Sequence, residues 1–437
     1  MEHFVRYQKY WLWGIIFATF AVSLAYSFYF QIQPIVDARA YDNLAWDIAR
    51  GKGYEAVSSI ARPGPAYEYF LALIYYIFGH HYAAVWIFQA ALLAATAYFV
   101  FRVSKFAMPA NWHPFIGLLA AGLVGFSPDL ITVSAMLMTE SLFLFLIVAG
   151  TYFFLKNFHS NHLGWLILSA IFWAGAVLTR SNLLFALLPL IIFLFYKKEF
   201  KGLVFFLITL AICFTPWTVR NYLVFGELRP FNAAYALLYV GNNPESTGEL
   251  GPYPLPNGYG DFSKMNQIEN DQALYAAGKD YIFSHPLDFA RKTIWRVSIY
   301  FSSARPFAFW PHLEGIGRLI TAIASSAYAG FIFSFGLAGV VLAFSQKLLF
   351  SREKLLLLAS VFFLVPVPLI FLIVETRYRF PSYPFLAIFA SWFAYLLLTR
   401  RQEIFTSMKR LAFVWLALLG NTIFDVVRNF SRIADRI

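Results

Sequence analysis

The chain has 437 residues, of which 60% are hydrophobic and only 13% are charged. Its mean hydropathy of +0.62 excludes most water-soluble folds, in which about a quarter of the residues are charged. The formal net charge is +11, but the basic residues lie mainly in the connections between hydrophobic segments. The charge is therefore a sign of membrane topology and does not indicate nucleic-acid binding.

Hydrophobic stretches along the whole chain are long enough to be predicted as membrane spans, since a spanning helix needs about 20 apolar residues and fewer when neighbouring helices cover it. We predict spans at residues 11–30, 82–101, 114–128, 131–155, 163–179, 182–196, 201–217, 318–345, 354–374 and 381–399. The shorter apolar stretch 411–424 is an extra span, a re-entrant segment or a surface helix. The sequence therefore predicts an all-α, polytopic transmembrane bundle of about 10–11 spans, with further helices at the membrane surface.

Basic residues test the orientation of this bundle. If the N-terminus is cytoplasmic, alternate connections place basic residues on the cytoplasmic side, as the positive-inside rule requires. These residues are Arg102, Lys105, Lys156, Lys197, Lys198, Lys201, Lys347, Arg352, Lys354, Arg400, Arg401, Lys409 and Arg410. We predict a multi-pass protein of the cytoplasmic membrane, whose first hydrophobic stretch is a retained signal anchor because no small-residue cleavage site follows it.

The predicted spans divide the chain into three parts. Residues 1–217 form an N-terminal transmembrane module that includes the first extracytoplasmic loop, 31–81. Residues 218–317 form a second extracytoplasmic segment, and residues 318–437 form a C-terminal transmembrane module with a cytoplasmic tail.

Both extracytoplasmic segments contain apolar helical patterns. Tyr67–Gly79 is too short to span and is predicted to be an interfacial helix. From Ser263 to Phe301, apolar residues recur every three or four positions with a break at His285-Pro286, which predicts two amphipathic helices.

Asp37 follows the first predicted span almost immediately. A carboxylate at a helix exit is often only a solvated group, but Tyr41 and Arg62 in the same loop favour a functional site. Asp37 could then accept a proton from an incoming hydroxyl as a general base, with a phosphate bound by the guanidinium. Asp42 and Asp47 are predicted to be helix-cap or surface groups.

Further arginines lie at the outer ends of predicted spans, at Arg180, Arg220, Arg377 and Arg379. A guanidinium matches phosphate oxygens in a bidentate way and stays charged when desolvated. Each arginine alone is also explained by snorkelling or by pairing with an acid such as Glu375. As a group, on the face opposite to the one expected for basic residues, they favour an anionic ligand.

Two acids lie near or within apolar stretches and need a partner or a wet cavity. We predict that Glu140 pairs with an outer arginine and that Glu68 contacts the acceptor. The sequence contains no Walker loop, no dinucleotide fingerprint and no D-x-D pair. No metal site is predicted, and nothing in the sequence requires a cofactor.

These motifs resemble those of the integral-membrane glycosyltransferases of the GT-C superfamily. The nearest resemblance is to the bacterial family-39/83-like group, akin to protein mannosyltransferases and the lipid A aminoarabinose transferase. One departure concerns the acceptor contact, because Pro63-Gly64-Pro65-Ala66-Tyr67 replaces the Pro-Gly-Tyr-Pro of many relatives. The motifs are Asp37-x-x-x-Tyr41, Gly51-x-Gly53-Tyr54, Arg62-Pro63, Leu178-Thr179-Arg180, Pro216-Trp217-x-x-Arg220-Asn221-Tyr222, Gly241-Asn242-Asn243-Pro244 and Arg377-Tyr378-Arg379-x-Pro381.

The resemblance implies an inverting transfer from a polyprenyl-phosphate-linked sugar to a lipid, glycan or protein acceptor in the cell envelope, with lipopolysaccharide lipid A among the candidates. It implies membrane lipids as partners and no nucleic acid, and some relatives use a divalent cation. Asp37 is then the general base. The donor-binding residues are Arg62, Arg220, Arg377, Arg379 and Tyr41. The acceptor-binding or supporting residues are Glu68, Glu140, Arg180, Asn242 and Asn243.

Two other functions stay open. A flippase or transporter of an anionic lipid-linked glycan is disfavoured because the polar groups concentrate at one face and no paired broken helices are evident. An O-antigen ligase or polymerase-type enzyme also carries outer arginines but needs no acid directly after the first span. Asp37 therefore distinguishes the predicted glycosyltransferase from the ligase or polymerase-type enzyme.

Overall fold

Lipid offers no hydrogen-bond partners to the backbone, so a chain this apolar must satisfy its N–H and C=O groups internally, as α-helices do. A computed structural model describes residues 2–54, 64–108, 112–160, 162–226, 228, 236–305, 312–345 and 352–431. Within these ranges every regular element is helical. The predicted all-α class is therefore confirmed.

Most of the described helices follow one another through short connections, whereas residues 242–266 form a long one between the helices Ala236–Gly241 and Gln267–Ser284. Helices of the 3₁₀ type at Ser181–Leu187 and Thr376–Ser382 continue directly into α9 and α17. In chain order the α-helices are α1 (Glu2–Phe30), α2 (Asp37–Ala49), α3 (Ala66–Phe78), α4 (Tyr82–Ala107), α5 (Pro114–Gly125), α6 (Pro128–Ser134), α7 (Glu140–Ser160), α8 (Gly164–Thr179), α9 (Leu188–Tyr196), α10 (Phe200–Phe225), α11 (Ala236–Gly241), α12 (Gln267–Ser284), α13 (Pro286–Phe301), α14 (Gly315–Ser345), α15 (Arg352–Leu364), α16 (Val367–Phe371), α17 (Tyr383–Thr399), α18 (Arg401–Phe405) and α19 (Met408–Arg428).

Eight helices in the described ranges are long and apolar enough to cross a membrane, and the pair α5 and α6, bent by 52°, makes a ninth span if counted as one. The stretch 411–424 lies within one of the eight, α19. The predicted spans at 163–179 and 182–196 are instead the shorter α8 and a 3₁₀ helix joined to α9. The 16 residues of α8 rise only about 24 Å, less than the roughly 30 Å of hydrocarbon.

Helix α17 lies at the centre of the bundle, where 12 of its 17 residues are buried. It packs against α14 through glycines, because a Cβ atom at Gly339 would overlap the carbonyl oxygen of Phe389. A Cβ atom at Gly336 would come within 2.8 Å of the Leu386 side chain. Small residues allow the close helix approach that drives packing in membranes, where helices gain little from leaving lipid.

The predicted helices between Ser263 and Phe301 are confirmed as α12 and α13, which cover one end of the bundle. Asn266 caps α12 in a capping box with Glu269, and Pro286 begins α13 at a position that needs no N–H donor. Only α13 is clearly amphipathic. The buried hydrophobic side chains of α12 are Leu274 and Ala277, since it packs mainly on the short α11.

Helix α19 is joined to the α13 end of the bundle by a buried ionic cluster. Arg305, four residues after the end of α13, donates to both carboxylate oxygens of Asp425 at 2.7 Å and to Glu249 at 2.7 Å. All three side chains are at most 4% exposed. The C-terminal part of α19 therefore lies beside the residues that follow α13.

We expect Gly339→Ala to lower the free energy of unfolding by about 1–3 kcal/mol, because the added methyl group must push α14 away from α17. Thermal unfolding of the purified protein in detergent micelles measures this loss. Gly122→Ala is the matched control, since a Cβ atom there meets nothing within 4 Å. Equal melting temperatures for the two variants would contradict the close-packing argument.

Candidate active site

A cavity of about 540 Å³ opens where α2, α3, α11, α12 and α16 meet at one end of the bundle. One side is polar, and its lining includes Asp37, Tyr41, Glu68, Thr139, Arg180 and Arg377. The other side is apolar, and its lining includes Leu184, Phe185, Leu237, Leu238, Leu369 and Phe371. Such a cavity fits an amphiphilic ligand with a charged head and an apolar chain.

Asp37 is the first residue of α2, and its carboxylate reaches the cavity. Oδ2 accepts a hydrogen bond from Nη2 of Arg377 at 2.9 Å, while 44% of the Asp37 side chain stays exposed. The preceding residue, Val36, has a φ angle of 46°, which is uncommon for a β-branched side chain. The backbone therefore turns sharply into α2 immediately before the carboxylate.

Arg377 comes from the 3₁₀ helix that precedes α17 and is almost completely buried. Besides Asp37, it lies 3.4 Å from a carboxylate oxygen of Glu375. A buried guanidinium is tolerated only beside anions or hydrogen-bond acceptors. The predicted pairing of an outer arginine with Glu375 is thus present, together with a second partner in the cavity.

Arg180 is held by two side-chain hydrogen bonds. Its Nη2 donates to Oε1 of Glu140 at 2.9 Å, and its Nε donates to Oγ1 of Thr139 at 3.0 Å. Glu140 is fully buried, whereas the Arg180 side chain is 14% exposed. The structure therefore pairs Glu140 with an arginine of the cavity, and the exposed edge of that arginine faces the open volume.

Tyr41 lies one helical turn after Asp37 and also lines the cavity. Burial raises the pKa of its phenol to about 12, with the Arg180 charge acting in the opposite direction and the nearby carboxylates reinforcing the rise. The hydroxyl is therefore protonated at neutral pH. Glu68, from the first turn of α3, is only 2% exposed and contributes a further carboxylate to the lining.

Helix α2 is fixed in this position by Asp42, which the sequence analysis wrongly assigned to a cap or the surface. Its carboxylate is 4% exposed. It accepts hydrogen bonds from Tyr75 at 2.5 Å and Tyr82 at 2.8 Å, and it lies 2.8 Å from Nε2 of His80. The sequence signal for a buried acid was the polar groups of Tyr75, His80 and Tyr82, which lie close together in an aromatic stretch of the chain. Asp47 is the predicted surface group, paired with Arg50 at 2.6 Å.

The apolar wall of the cavity is held by buried cations that the sequence analysis missed. On α13, Arg296 donates to Ile370 O at 3.2 Å, to Gly241 O and to Asn242 Oδ1 at 2.8 Å. Lys292, one turn earlier, donates to Asn243 O. The Arg296 guanidinium thus joins the C-terminal ends of α11 and α16, where backbone carbonyls attract cations. Burial lowers its pKa to about 10, so it stays charged.

Asn242 and Asn243 belong to the same wall but do not line the cavity. The amide of Asn242 donates to Leu238 O at 2.9 Å and to Phe371 O at 3.0 Å. The amide of Asn243 donates to Tyr239 O and Val240 O at 3.0 Å. Both side chains connect backbone segments. The sequence signal for this arrangement was the pair Lys292 and Arg296, two cations one turn apart on the buried face of α13.

The other predicted arginines lie elsewhere. Arg379 is fully buried and donates to Ser302 O and Arg305 O at 2.8 Å, outside the cavity lining. Arg220 on α10 packs against aromatic rings such as those of Tyr54 and Trp217. Arg62 lies outside the described residues. The described part of the chain contains no group of three or more His, Cys, Asp or Glu side chains placed to hold a metal ion.

Residues 61–219 match the family model described as dolichyl-phosphate-mannose-protein mannosyltransferase. No curated protein matches the chain. Among solved structures it is similar to the oligosaccharyltransferase of Archaeoglobus fulgidus in the apo form, with a TM-score of 0.52 and 14% identity over 96% of this chain and 56% of that chain.

Two further structures of the archaeal enzyme give the same result. AglB in complex with an inhibitory peptide and a dolichol-phosphate has a TM-score of 0.51 and 15% identity, over 97% of this chain and 56% of that chain. The form tethered to an acceptor peptide has a TM-score of 0.50 and 13% identity, over 96% of this chain and 54% of that chain. The chain thus spans about half the length of the solved relatives it matches.

The family match contains Glu68, Thr139, Glu140 and Arg180 of the cavity, and the fold likeness covers almost the whole chain. Together they show that this multi-pass membrane protein has a fold similar to that of the archaeal oligosaccharyltransferase, and that its residues 61–219 are similar to the dolichyl-phosphate-mannose-protein mannosyltransferase family.

Proposed function

We propose that the protein transfers a sugar from a polyprenyl-phosphate-linked donor to a hydroxyl group, with inversion at the anomeric carbon, at the outer face of the cytoplasmic membrane. The observation that carries this proposal is the cavity in which the Asp37 carboxylate lies 2.9 Å from Arg377, with Arg180 nearby and an apolar wall opposite. The acceptor is a glycan, a lipid or a protein of the cell envelope. The family description, which names dolichyl-phosphate mannose, supports the donor class.

The donor phosphate binds at the two cavity arginines. A guanidinium presents a planar fork of N–H donors to phosphate oxygens and remains charged at a lipid boundary. Arg180, already oriented by Glu140 and Thr139, offers its exposed edge, and Arg377 lies on the same polar side of the cavity. The isoprenoid chain then lies along the apolar wall, where Leu184 and Phe185 are 36% and 44% exposed.

Asp37 is the general base of the transfer. The acceptor oxygen attacks the anomeric carbon as its proton passes to the Asp37 carboxylate, and the bond from that carbon to the phosphate oxygen breaks. A single displacement of this kind inverts the anomeric configuration. The leaving group is polyprenyl phosphate, whose growing negative charge is stabilised by the arginines, so no acid has to protonate it.

Tyr41 and Glu68 complete the polar side of the cavity. The Tyr41 phenol, kept protonated by burial, donates a hydrogen bond to the sugar or to the phosphate. Glu68 accepts a hydrogen bond from a hydroxyl of the incoming acceptor. Glu140 takes no part in the displacement and instead orients Arg180.

Asp37→Asn is expected to lower transfer at least about 100-fold, because the amide cannot accept the acceptor proton. The measurement is release of labelled polyprenyl phosphate from membranes that contain the native acceptor. Asp47→Asn is the matched control, since it removes the same charge from the same helix outside the cavity. Full activity of Asp37→Asn would refute the base assignment.

Arg377→Ala is expected to lower kcat about 100-fold or more, because a charged donor aimed at the leaving phosphate is lost. The same assay, run over a range of donor concentrations, separates kcat from KM. Arg39→Ala, an exposed arginine on α2, is the control for general loss of charge. An unchanged kcat/KM for Arg377→Ala would exclude this guanidinium from the donor site.

A further inference from the structure

The two ion pairs of the cavity differ in how easily they can be exchanged. Glu140 in the Arg180 pair is fully buried, and Arg180 is also bound to Thr139. In the Asp37–Arg377 pair the carboxylate is 44% exposed. An exposed carboxylate recovers much of its hydration when it leaves its partner, so this pair costs less to break.

The Asp37–Arg377 pair is also incompatible with the chemistry proposed for its two members. In the pair, Oδ2 of Asp37 already accepts a hydrogen bond from Arg377, so this oxygen is not free to receive the acceptor proton. Arg377 must at the same time serve a phosphate whose negative charge repels Asp37. The carrier phosphate and the base therefore compete for one guanidinium.

The backbone next to Asp37 is strained in the paired state. Val36 has a φ angle of 46° and is 67% exposed, so side-chain packing does not hold it in this conformation. A β-branched residue at positive φ persists only where adjacent contacts fix the chain. The following residue provides such a contact through its bond to Arg377.

We propose that the Asp37–Arg377 pair is a latch that keeps the base inactive until the donor phosphate displaces it. This inference rests on the proposed function. The phosphate takes Arg377, Asp37 swings free, and the Val36 backbone relaxes. Asp37 then accepts the acceptor proton, as the carbon–oxygen bond to the carrier breaks. Once the carrier phosphate has left and the proton has passed to water, the ionised carboxylate pairs with Arg377 again.

The latch imposes an order on the reaction, since the acceptor meets an active base only after the donor is bound. It also means that Asp37 competes with the carrier phosphate for Arg377 and so weakens carrier binding. Removing its negative charge must therefore strengthen binding of the carrier phosphate while abolishing transfer. An aspartate that merely supports the donor site would give weaker binding instead.

The test is binding of a radiolabelled polyprenyl monophosphate to the purified full-length protein in lipid nanodiscs. We expect Asp37→Asn to bind on the order of fivefold more tightly than wild type, the gain from releasing a partly exposed ion pair. Asp47→Asn, on the same helix, should bind as wild type does. Thermal unfolding of each variant checks that it is folded.

Val36→Gly provides a second measurement with the opposite sign. Glycine adopts positive φ without strain, so the latched state is stabilised and carrier binding should weaken several-fold. Added to Asp37→Asn, the same change should have no effect on binding, because no latch remains. Tighter or unchanged binding by Val36→Gly would overturn the role given to the backbone strain.

The outcomes separate the latch from the proposed function. If wild type binds the polyprenyl phosphate in preference to polyprenol but Asp37→Asn binds it equally or less tightly, the latch is refuted and the proposed function stands. If wild type does not distinguish the phosphate from polyprenol, the proposed function itself fails.

Discussion

The cost of removing a charge from water determines how this site is built. An isolated ion in a low-dielectric interior is too unstable to persist, so every charged group near the bundle end must be paired or solvated. Arg180 is paired with Glu140, and Arg377 is paired with Asp37. Each pair joins elements that are far apart in the sequence. The ionic contacts therefore position the helices as well as supplying the charges.

In the apolar wall of the cavity, backbone carbonyls take the place of carboxylates as partners of a buried cation. Among the described residues, the hydrogen-bond partners of Arg296 include no carboxylate, and it binds the C-terminal ends of α11 and α16 instead. Cations at helix C-termini are stabilised by the unpaired carbonyls there. As a result, a buried cation orders the surface proposed to receive an isoprenoid chain, although it does not touch the cavity.

The sequence predicts the helices and the general location of the site because both follow from simple constraints. Apolar length determines the spans, and alternation of spans brings Asp37, Arg180 and Arg377 to the same end of the bundle. The choice among arginines depends on local geometry. Arg377 and Arg379 are two residues apart in a 3₁₀ helix with three residues per turn, so they point in different directions. Only the first reaches the cavity.

Other differences arise from tertiary contacts that periodicity does not reveal. Whether Asp42 is a cap or a buried acceptor depends on Tyr75, His80 and Tyr82, which approach from other elements. The side of α10 that carries Arg220 is likewise set by packing. Helix α8 is apolar like its neighbours, but its 16 residues are too few for a full span. Its apolar composition fits a second cause, because protein and not lipid covers much of its surface.

The buried cluster at Arg305 affects how the protein is made. Its partner Asp425 lies 120 residues further along the chain, on the helix α19, whose other buried residue is Leu411. During synthesis, Arg305 therefore leaves the ribosome after its partner Glu249 but long before its second carboxylate partner, Asp425. This corner of the molecule reaches its native form only after α19 has been inserted, so membrane insertion of that helix is a late step in biogenesis.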